Sequence, residues 1–189
     1  MPRTFELAVR DPSPNTVYIA RPCQFLDAES LAACSSDYWF MARYAPEVVA
    51  SIDLMVDYFV RTTRSQQVRL FGFSGGGVIA TLVAANRDDV TGIVTVAANL
   101  DHETWTAIHG LSRLRNSLNA TSVAADLALV PQVHFVGADD TNVPVVVAEA
   151  YLARMPDDAL TEIVVVDGMA HNCCWVDIWP DLLAQHALD

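Results

Sequence analysis

Short apolar runs rich in β-branched and aromatic residues alternate with longer helix-like segments along most of this chain. Apolar strands separated by helices are typical of a parallel sheet covered on both faces. We therefore predict one α/β domain over residues 1–189, with a doubly wound, mostly parallel sheet of about five or six strands and helices on both faces. The predicted strands are 16–22, 67–73, 90–98, 131–138 and 160–168, and the predicted helices are 46–63, 75–86, 143–155 and 175–188.

Three segments are less regular. Residues 23–45 are polar and aromatic by turns and are predicted to form a loop, whereas 122–128 is expected to be a short helix. Segment 99–120 is expected to be a small cap or pocket loop. Ligands of such sheets bind beyond the carboxyl ends of the strands, so loops that follow strands are the places to seek a site.

A serine among glycines follows the strand 67–73, in the stretch G-F-S-G-G at residues 72–76. A tight turn from strand to helix strains the backbone at its tip. Side chains two positions away on either side would collide, so we predict that Gly72 and Gly76 are both required. The turn would hold the Ser74 hydroxyl out as a nucleophile, and the Gly75 amide would open a helix and stabilise developing negative charge. The alternative is a glycine-rich turn with a serine helix cap.

A serine hydroxyl needs a histidine as base and a carboxylate to orient that histidine. Both residue types follow Ser74 in loops after later strands: D-D-T-N-V-P at 139–144, and M-A-H-N-C-C-W at 169–175, which contains His171. Since the three elements occur in this order, the chain resembles the α/β-hydrolases, and the resemblance covers about residues 16–189.

The resemblance implies roles for particular residues. Asp140 stands three residues before Val-Pro, where that family often carries its acid, and His171 stands three residues beyond a glycine. Asp139 and Asp101 are the alternative acids. The implied activity is that of a carboxylesterase-like serine hydrolase that cleaves an ester or related acyl bond of a small molecule through an acyl-enzyme. Thioesterase and peptidase are further candidates, and no cofactor is implied.

The chain departs from the family before the nucleophile. Relatives have more sheet there and a loop that gives a second oxyanion amide, whereas no glycine precedes Gly72 here. Either strand 16–22 lies beside strand 67–73 and Cys23 or Gln24 gives that amide, or upstream strands are missing. The alternative function is therefore a non-catalytic or weakly active binding module that lacks a complete oxyanion hole.

Aromatic residues near the strand-end loops are candidates for a substrate pocket, namely Trp105, His109 and Trp175. His134 lies inside a predicted strand and is expected in the core. A metal site is not expected, because the four cysteines form no C-x-x-C pair and adjacent cysteines cannot easily face one ion.

Charge and hydropathy exclude several partners. The net charge of −12 disfavours nucleic acid and anionic lipid surfaces. No apolar run reaches the roughly 18 residues of a membrane span. The start lacks a signal-peptide pattern, which predicts a cytoplasmic protein, or a periplasmic or secreted one if an upstream signal segment is missing. In that second case Cys23 and Cys34 can form a disulfide. A sheet with open edges favours a homodimer.

Overall fold

Four parallel strands form a single sheet. The computed structural model describes residues 3–13 and 15–186, and within them the strands lie side by side in chain order. They are β1 (Val68–Phe73), β2 (Val90–Val96), β3 (Gln132–Gly137) and β4 (Thr161–Val166). Every crossover therefore moves in the same direction across the sheet. The pairs Phe73 with Val96, and Val96 with Phe135, align the carboxyl ends of the first three strands.

Helices cover both faces of this sheet, as predicted. The described helices are α1 (Arg3–Arg10), α2 (Ala28–Leu31), α3 (Pro46–Thr63), α4 (Gly75–Ala84), α5 (His102–Ile108), α6 (Val145–Leu152) and α7 (Trp175–Gln185). One face carries α3, α4 and α6, which share a core cluster. The other carries α7 and Leu7 of α1. The second face is therefore covered from the two ends of the described chain and not by crossovers between strands.

Burial explains why these helices are so apolar. All eight residues of α4 from Gly77 onwards are buried, because the helix lies between the sheet and α3. In α7, the indoles of Trp175 and Trp179 are 1% and 2% exposed, and the ring of Trp179 meets that of Phe135 edge to face. Burying aromatic side chains of this size contributes strongly to the stability of a core.

The fold class is confirmed, but the prediction of a strand at 16–22 is wrong. The segment lies outside the sheet, and its side chains are held by packing: Ile19 lies against the main core, and the Tyr18 ring is 5.6 Å from the Phe5 ring of α1. Arg21 donates a hydrogen bond to the carbonyl oxygen of Arg43 at 3.2 Å. With this segment outside the ladder, the sheet has fewer strands than expected.

Several loops hold more structure than the sequence predicts. Segment 99–120 contains α5, and segment 23–45 contains α2 and a 3-10 turn at Ser36–Trp39. The predicted helix 122–128 is instead a pair of 3-10 turns, Ala120–Val123 and Ala125–Leu127. The predicted helix 46–63 agrees with α3, whereas α1 was not predicted. The last two residues of the predicted helix 175–188 lie outside the described residues.

Two disulfides join the four cysteines. One links Cys23 to Cys34 across a separation of 11 residues, and the other links the neighbours Cys173 and Cys174. The first closes the loop that precedes α3, and the second lies immediately before α7. In the part of the chain that the structure describes, no helix combines the length and apolar character needed to cross a bilayer.

Candidate active site

Ser74 lies at the tip of the turn between β1 and α4. Its backbone has φ 51° and ψ −121°, a conformation that a residue with a side chain rarely adopts. The Ser74 amide donates to the carbonyl oxygen of Val96 at 2.9 Å, and its own carbonyl accepts from the Gly77 amide at 3.0 Å. The strained residue is thus fixed to the neighbouring strand and to the first turn of α4.

The turn requires one of its two predicted glycines. A Cβ on Gly72 would overlap the backbone of Gly76 and Gly77, so that position has no room for a side chain. A Cβ on Gly76 would meet nothing within 4 Å. The prediction that both positions must be glycine is therefore wrong for Gly76, since the close approach is made by its backbone.

His171 brings a nitrogen to the Ser74 hydroxyl. Its Nε2 is 3.1 Å from Ser74 Oγ, and its Nδ1 is 2.8 Å from Oδ2 of Asp140. The His171 ring is 5.3 Å from the ring of Phe73, and its side chain is 12% exposed. These three side chains come from three elements, and they form one continuous line of hydrogen bonds. Such a line can accept the hydroxyl proton on Nε2 while the carboxylate holds the other ring nitrogen.

Asp140 is held by its own loop. The amides of Asn142 and Val143 donate to its Oδ1 at 2.9 and 2.8 Å, which leaves Oδ2 for His171. The residue is 3% exposed. These two backbone hydrogen bonds fix the orientation of the carboxylate. An Asp followed by Thr-Asn is typical of such a turn, so the residues 140–142 carry a local signal for these two hydrogen bonds.

The loop that carries His171 is fixed on both sides of the histidine. The Asp139 amide donates to the carbonyl oxygen of Met169 at 3.0 Å. The next carbonyl, of Ala170, accepts from the Trp175 indole at 3.0 Å and from the Cys173 amide at 3.3 Å. His171 is therefore positioned by both the loop after β3 and the start of α7.

The two alternative acids lie elsewhere. Asp139 is exposed and joins the His171 loop only through its backbone amide. Asp101 is buried and caps α5, where it accepts hydrogen bonds from Thr104 and Asn119 at 2.6 and 2.7 Å. Burial opposes its ionisation, but these hydrogen bonds hold the pKa of Asp101 below its usual value. Asp140 is the predicted acid that the structure joins to His171.

The candidate oxyanion donors lie on two segments. Gly75 is the first residue of α4, where backbone amides lack partners within the helix and favour negative charge. Cys23 has a left-handed φ of 63° and is tied to Cys34, and Gln24 follows it in a half-buried position. Since 16–22 is not a strand of the sheet, these two residues do not lie at the end of a strand beside β1, as was expected.

The three aromatic candidates have different surroundings. The Trp105 indole and His109 Nε2 both lie 2.8 Å from the carbonyl oxygen of Asn142. Both residues therefore contact the loop that holds Asp140. Trp175 is 1% exposed and belongs to the core, so it does not line an open pocket, contrary to expectation.

The other buried histidines are structural. His134 lies in β3 with its Nδ1 2.8 Å from the Thr95 hydroxyl, and burial lowers its pKa to about 3, as suits a core residue. Burial also lowers the pKa of His102.

The His102 ring stacks on Tyr44 at 6.1 Å, and the Tyr44 hydroxyl lies beside Gly75. Tyr44 lies within the irregular segment 23–45 and belongs to no motif, so the sequence gives no signal for its position beside Gly75. Among the described residues, no group of three or more candidate ligands could hold a metal ion.

Comparison with known proteins identifies the architecture. No protein-family model matches the sequence, and no curated protein matches it either. Solved structures are similar, however. An α/β hydrolase enzyme from the metagenome of lagoon sediments at Mar Chica, Morocco, has a TM-score of 0.52 at 21% identity, over 72% of this chain and 67% of that one.

Two further solved structures give the same result. A protein of Klebsiella pneumoniae assigned as a dienelactone hydrolase has a TM-score of 0.58 at 23% identity, over 75% of this chain and 61% of that one. The monoacylglycerol lipase of Paleococcus ferrophilus has a TM-score of 0.55 at 14% identity, over 72% and 74%. The chain thus spans between 61% and 74% of the length of these three proteins. Their agreement with the sheet and helices described above shows that the chain has the α/β-hydrolase fold.

Proposed function

We propose that this chain is a serine hydrolase that cleaves an ester or related acyl bond of a small molecule. The observation that carries the proposal is the line of two hydrogen bonds from Asp140 through His171 to Ser74, at 2.8 and 3.1 Å. Three side chains from three separate loops form this line, and packing alone does not require it. The hydrolases, esterases and lipase among the solved structures of this fold are consistent with it.

The first step is acylation. Ser74 Oγ attacks the carbonyl carbon and forms a bond to it, while His171 Nε2 takes the hydroxyl proton. The tetrahedral intermediate then collapses, the bond to the leaving group breaks, and that group departs with the proton from Nε2. Asp140 keeps Nδ1 protonated and stabilises the charge on the ring. Water then cleaves the acyl-enzyme by the same route, which restores Ser74 and releases the acid.

The oxyanion needs donors of its own. The Gly75 amide at the start of α4 is the first, and an amide of Cys23 or Gln24 is the candidate for the second. One such donor contributes about 3 kcal/mol to the stability of the transition state. This second donor distinguishes the proposal from a binding module on the same scaffold.

The test is labelling of the purified protein with a fluorophosphonate, read as intact mass. We expect one adduct on the wild type, none on Ser74→Ala, and one on the control Ser36→Ala, because Ser36 is exposed and lies in a separate 3-10 turn. Hydrolysis of p-nitrophenyl esters of increasing chain length would then define the acyl group. A folded wild type that takes no adduct would contradict the proposal and favour the binding module.

A further inference from the structure

The carbonyl oxygen of Asn142 accepts two side-chain hydrogen bonds, one from Trp105 in α5 and one from His109, the C-cap residue of that helix. The Trp105 indole Nε1 donates to it at 2.8 Å, and His109 Nε2 lies at the same distance. The two residues are four apart, and the His109 amide donates to the carbonyl oxygen of Trp105 at 3.3 Å, so the last turn of α5 places both side chains on the same side. A carbonyl oxygen can only accept, so this hydrogen bond requires the tautomer of His109 that carries a proton on Nε2.

The two rings support each other. Their centroids are 5.5 Å apart in an edge-to-face arrangement, and the guanidinium carbon of Arg43 lies 5.8 Å from the centre of the Trp105 ring. Trp105 is half-buried between these neighbours, whereas His109 is exposed. These ring contacts do not involve Asn142, so they hold the two donors in place independently of the carbonyl.

The accepting carbonyl belongs to the same peptide unit as a donor to Asp140. A peptide unit is planar, so fixing the carbonyl oxygen of Asn142 also fixes the direction of the Val143 N–H. That N–H donates to Asp140 Oδ1 at 2.8 Å. Hydrogen bonds to the carbonyl also polarise the unit and make the N–H a stronger donor. Oδ2 of the same carboxylate lies 2.8 Å from His171 Nδ1.

We propose that Trp105 and His109 are positioning residues for the acid of this site: together they fix the Asn142–Val143 peptide, which aims Asp140 at His171. The inference rests on the proposed function for its effect on rate, and on geometry alone for its effect on the Asp140–His171 hydrogen bond. It assigns both aromatic residues a role in holding the loop after β3, beyond the general expectation that they line a pocket.

The test compares variants that remove or keep the donors. Trp105→Phe combined with His109→Leu places an apolar side chain at each position and removes both N–H donors. His109→Gln keeps an N–H donor at a similar reach, and Ile108→Ala is the control, since Ile108 is exposed on the same helix. Circular dichroism and thermal melting establish that each variant is folded.

Two readouts separate positioning from a general loss of structure. The first is the downfield proton NMR resonance of His171 Nδ1–H, identified by its loss in His171→Ala. The second is the rate of fluorophosphonate labelling, with kcat and KM for a p-nitrophenyl ester. We expect the double variant to lose or broaden the resonance and to be labelled at least about tenfold more slowly, with kcat reduced and KM little changed. His109→Gln and Ile108→Ala should stay within about twofold of the wild type.

Three results would overturn the inference. A folded double variant with a normal resonance and a normal labelling rate would show that the peptide needs no support from α5. A folded His109→Gln variant that is labelled as slowly as the double variant would assign His109 another role. A large rise in KM with unchanged kcat would make these residues substrate contacts. If the wild type takes no label, the proposed function fails, whereas the resonance still tests the positioning.

Discussion

Gly137 and Met169 lie so close together that a Cβ on Gly137 would overlap the carbonyl oxygen of Met169. Gly137 is the last residue of β3, three residues before Asp140, and Met169 is two residues before His171. A hydrogen bond from the Asp139 amide to the same carbonyl holds the two loops together at 3.0 Å. The missing side chain therefore allows the acid loop and the histidine loop to meet.

We expect Gly137→Ala to separate these loops. The added methyl group meets backbone atoms that cannot rotate away, so the substitution should reduce the free energy of unfolding by about 1–3 kcal/mol. It should also slow labelling of Ser74, because Asp140 and His171 would move apart. Urea unfolding and the labelling rate measure the two effects, with Ala138→Ser, at an exposed neighbour, as the control. Unchanged values for both quantities would contradict this view of the contact.

The turn at Ser74 offers a matched pair of substitutions. Gly72→Ala should abolish labelling and leave little folded protein, because its Cβ would overlap the backbone of Gly76 and Gly77. Gly76→Ala has open space and lies within α4, so it should leave labelling intact and add up to about 1 kcal/mol of stability through helix propensity. Soluble yield, thermal melting and labelling rate give the comparison. Equal tolerance of both substitutions would argue against this geometry.

The order of the site could be predicted from the sequence, and the family resemblance indicated Asp140 as the acid, whereas the spacing alone left Asp139 and Asp101 as alternatives. Strand-end loops carrying Ser74, an aspartate pair and His171 were expected to converge, since carboxyl ends of parallel strands meet at one edge. Asp139 and Asp140 share one turn, and only the backbone path of that turn decides which carboxylate faces the ring.

The four strands of the sheet and the longer helices were predictable from their apolar patterns, whereas the start of the chain was not. Segment 16–22 has the composition of a strand, but β-propensity reflects a half-buried surface more than pairing itself. Val17, Tyr18 and Ile19 therefore gave a strand signal, although the segment is held by packing. The contact of Trp105 with Asn142 joins residues 37 apart and has no local signal at all.

Asp140 and Asp139 allow a direct test of the acid. Asp140→Asn should reduce kcat by about 10³–10⁴, because an amide at this place disturbs the tautomer and charge of His171. Asp139→Asn should have little effect, since its side chain is exposed and only its amide is used. Ester hydrolysis by the two purified variants, both verified as folded, measures the difference. A larger loss from Asp139→Asn would reassign the acid.

His134 makes the stability depend on pH. In the unfolded chain its pKa is near the ordinary value of about 6.5, whereas burial lowers its pKa to about 3 in the folded protein. Between these values the unfolded chain binds more protons, so this contribution to stability is complete above about pH 6.5 and is lost as the pH falls towards about 3. The loss should be about 1.4 kcal/mol per pH unit.

The measurement is urea unfolding at about pH 6 and about pH 4.5, for the wild type and for a variant that combines Thr95→Val with His134→Leu. Replacing both residues removes the Thr95 hydroxyl and the His134 ring together, so neither is left buried without the other as its hydrogen-bond partner. Between these two pH values the free energy of unfolding of the wild type should fall by about 2 kcal/mol more than that of the variant. Parallel pH profiles for the two proteins would show that His134 does not titrate in this way.

Ser74 and His171 meet through a hydrogen bond although 97 residues separate them along the chain. During synthesis the ribosome therefore adds Ser74 well before His171, and the residues of β2, β3 and β4 are added between them. A nascent or interrupted chain that ends within this interval carries the serine without its partner. The chemistry proposed for the site would thus begin only once synthesis has passed the last strand, when the sheet beneath it is complete.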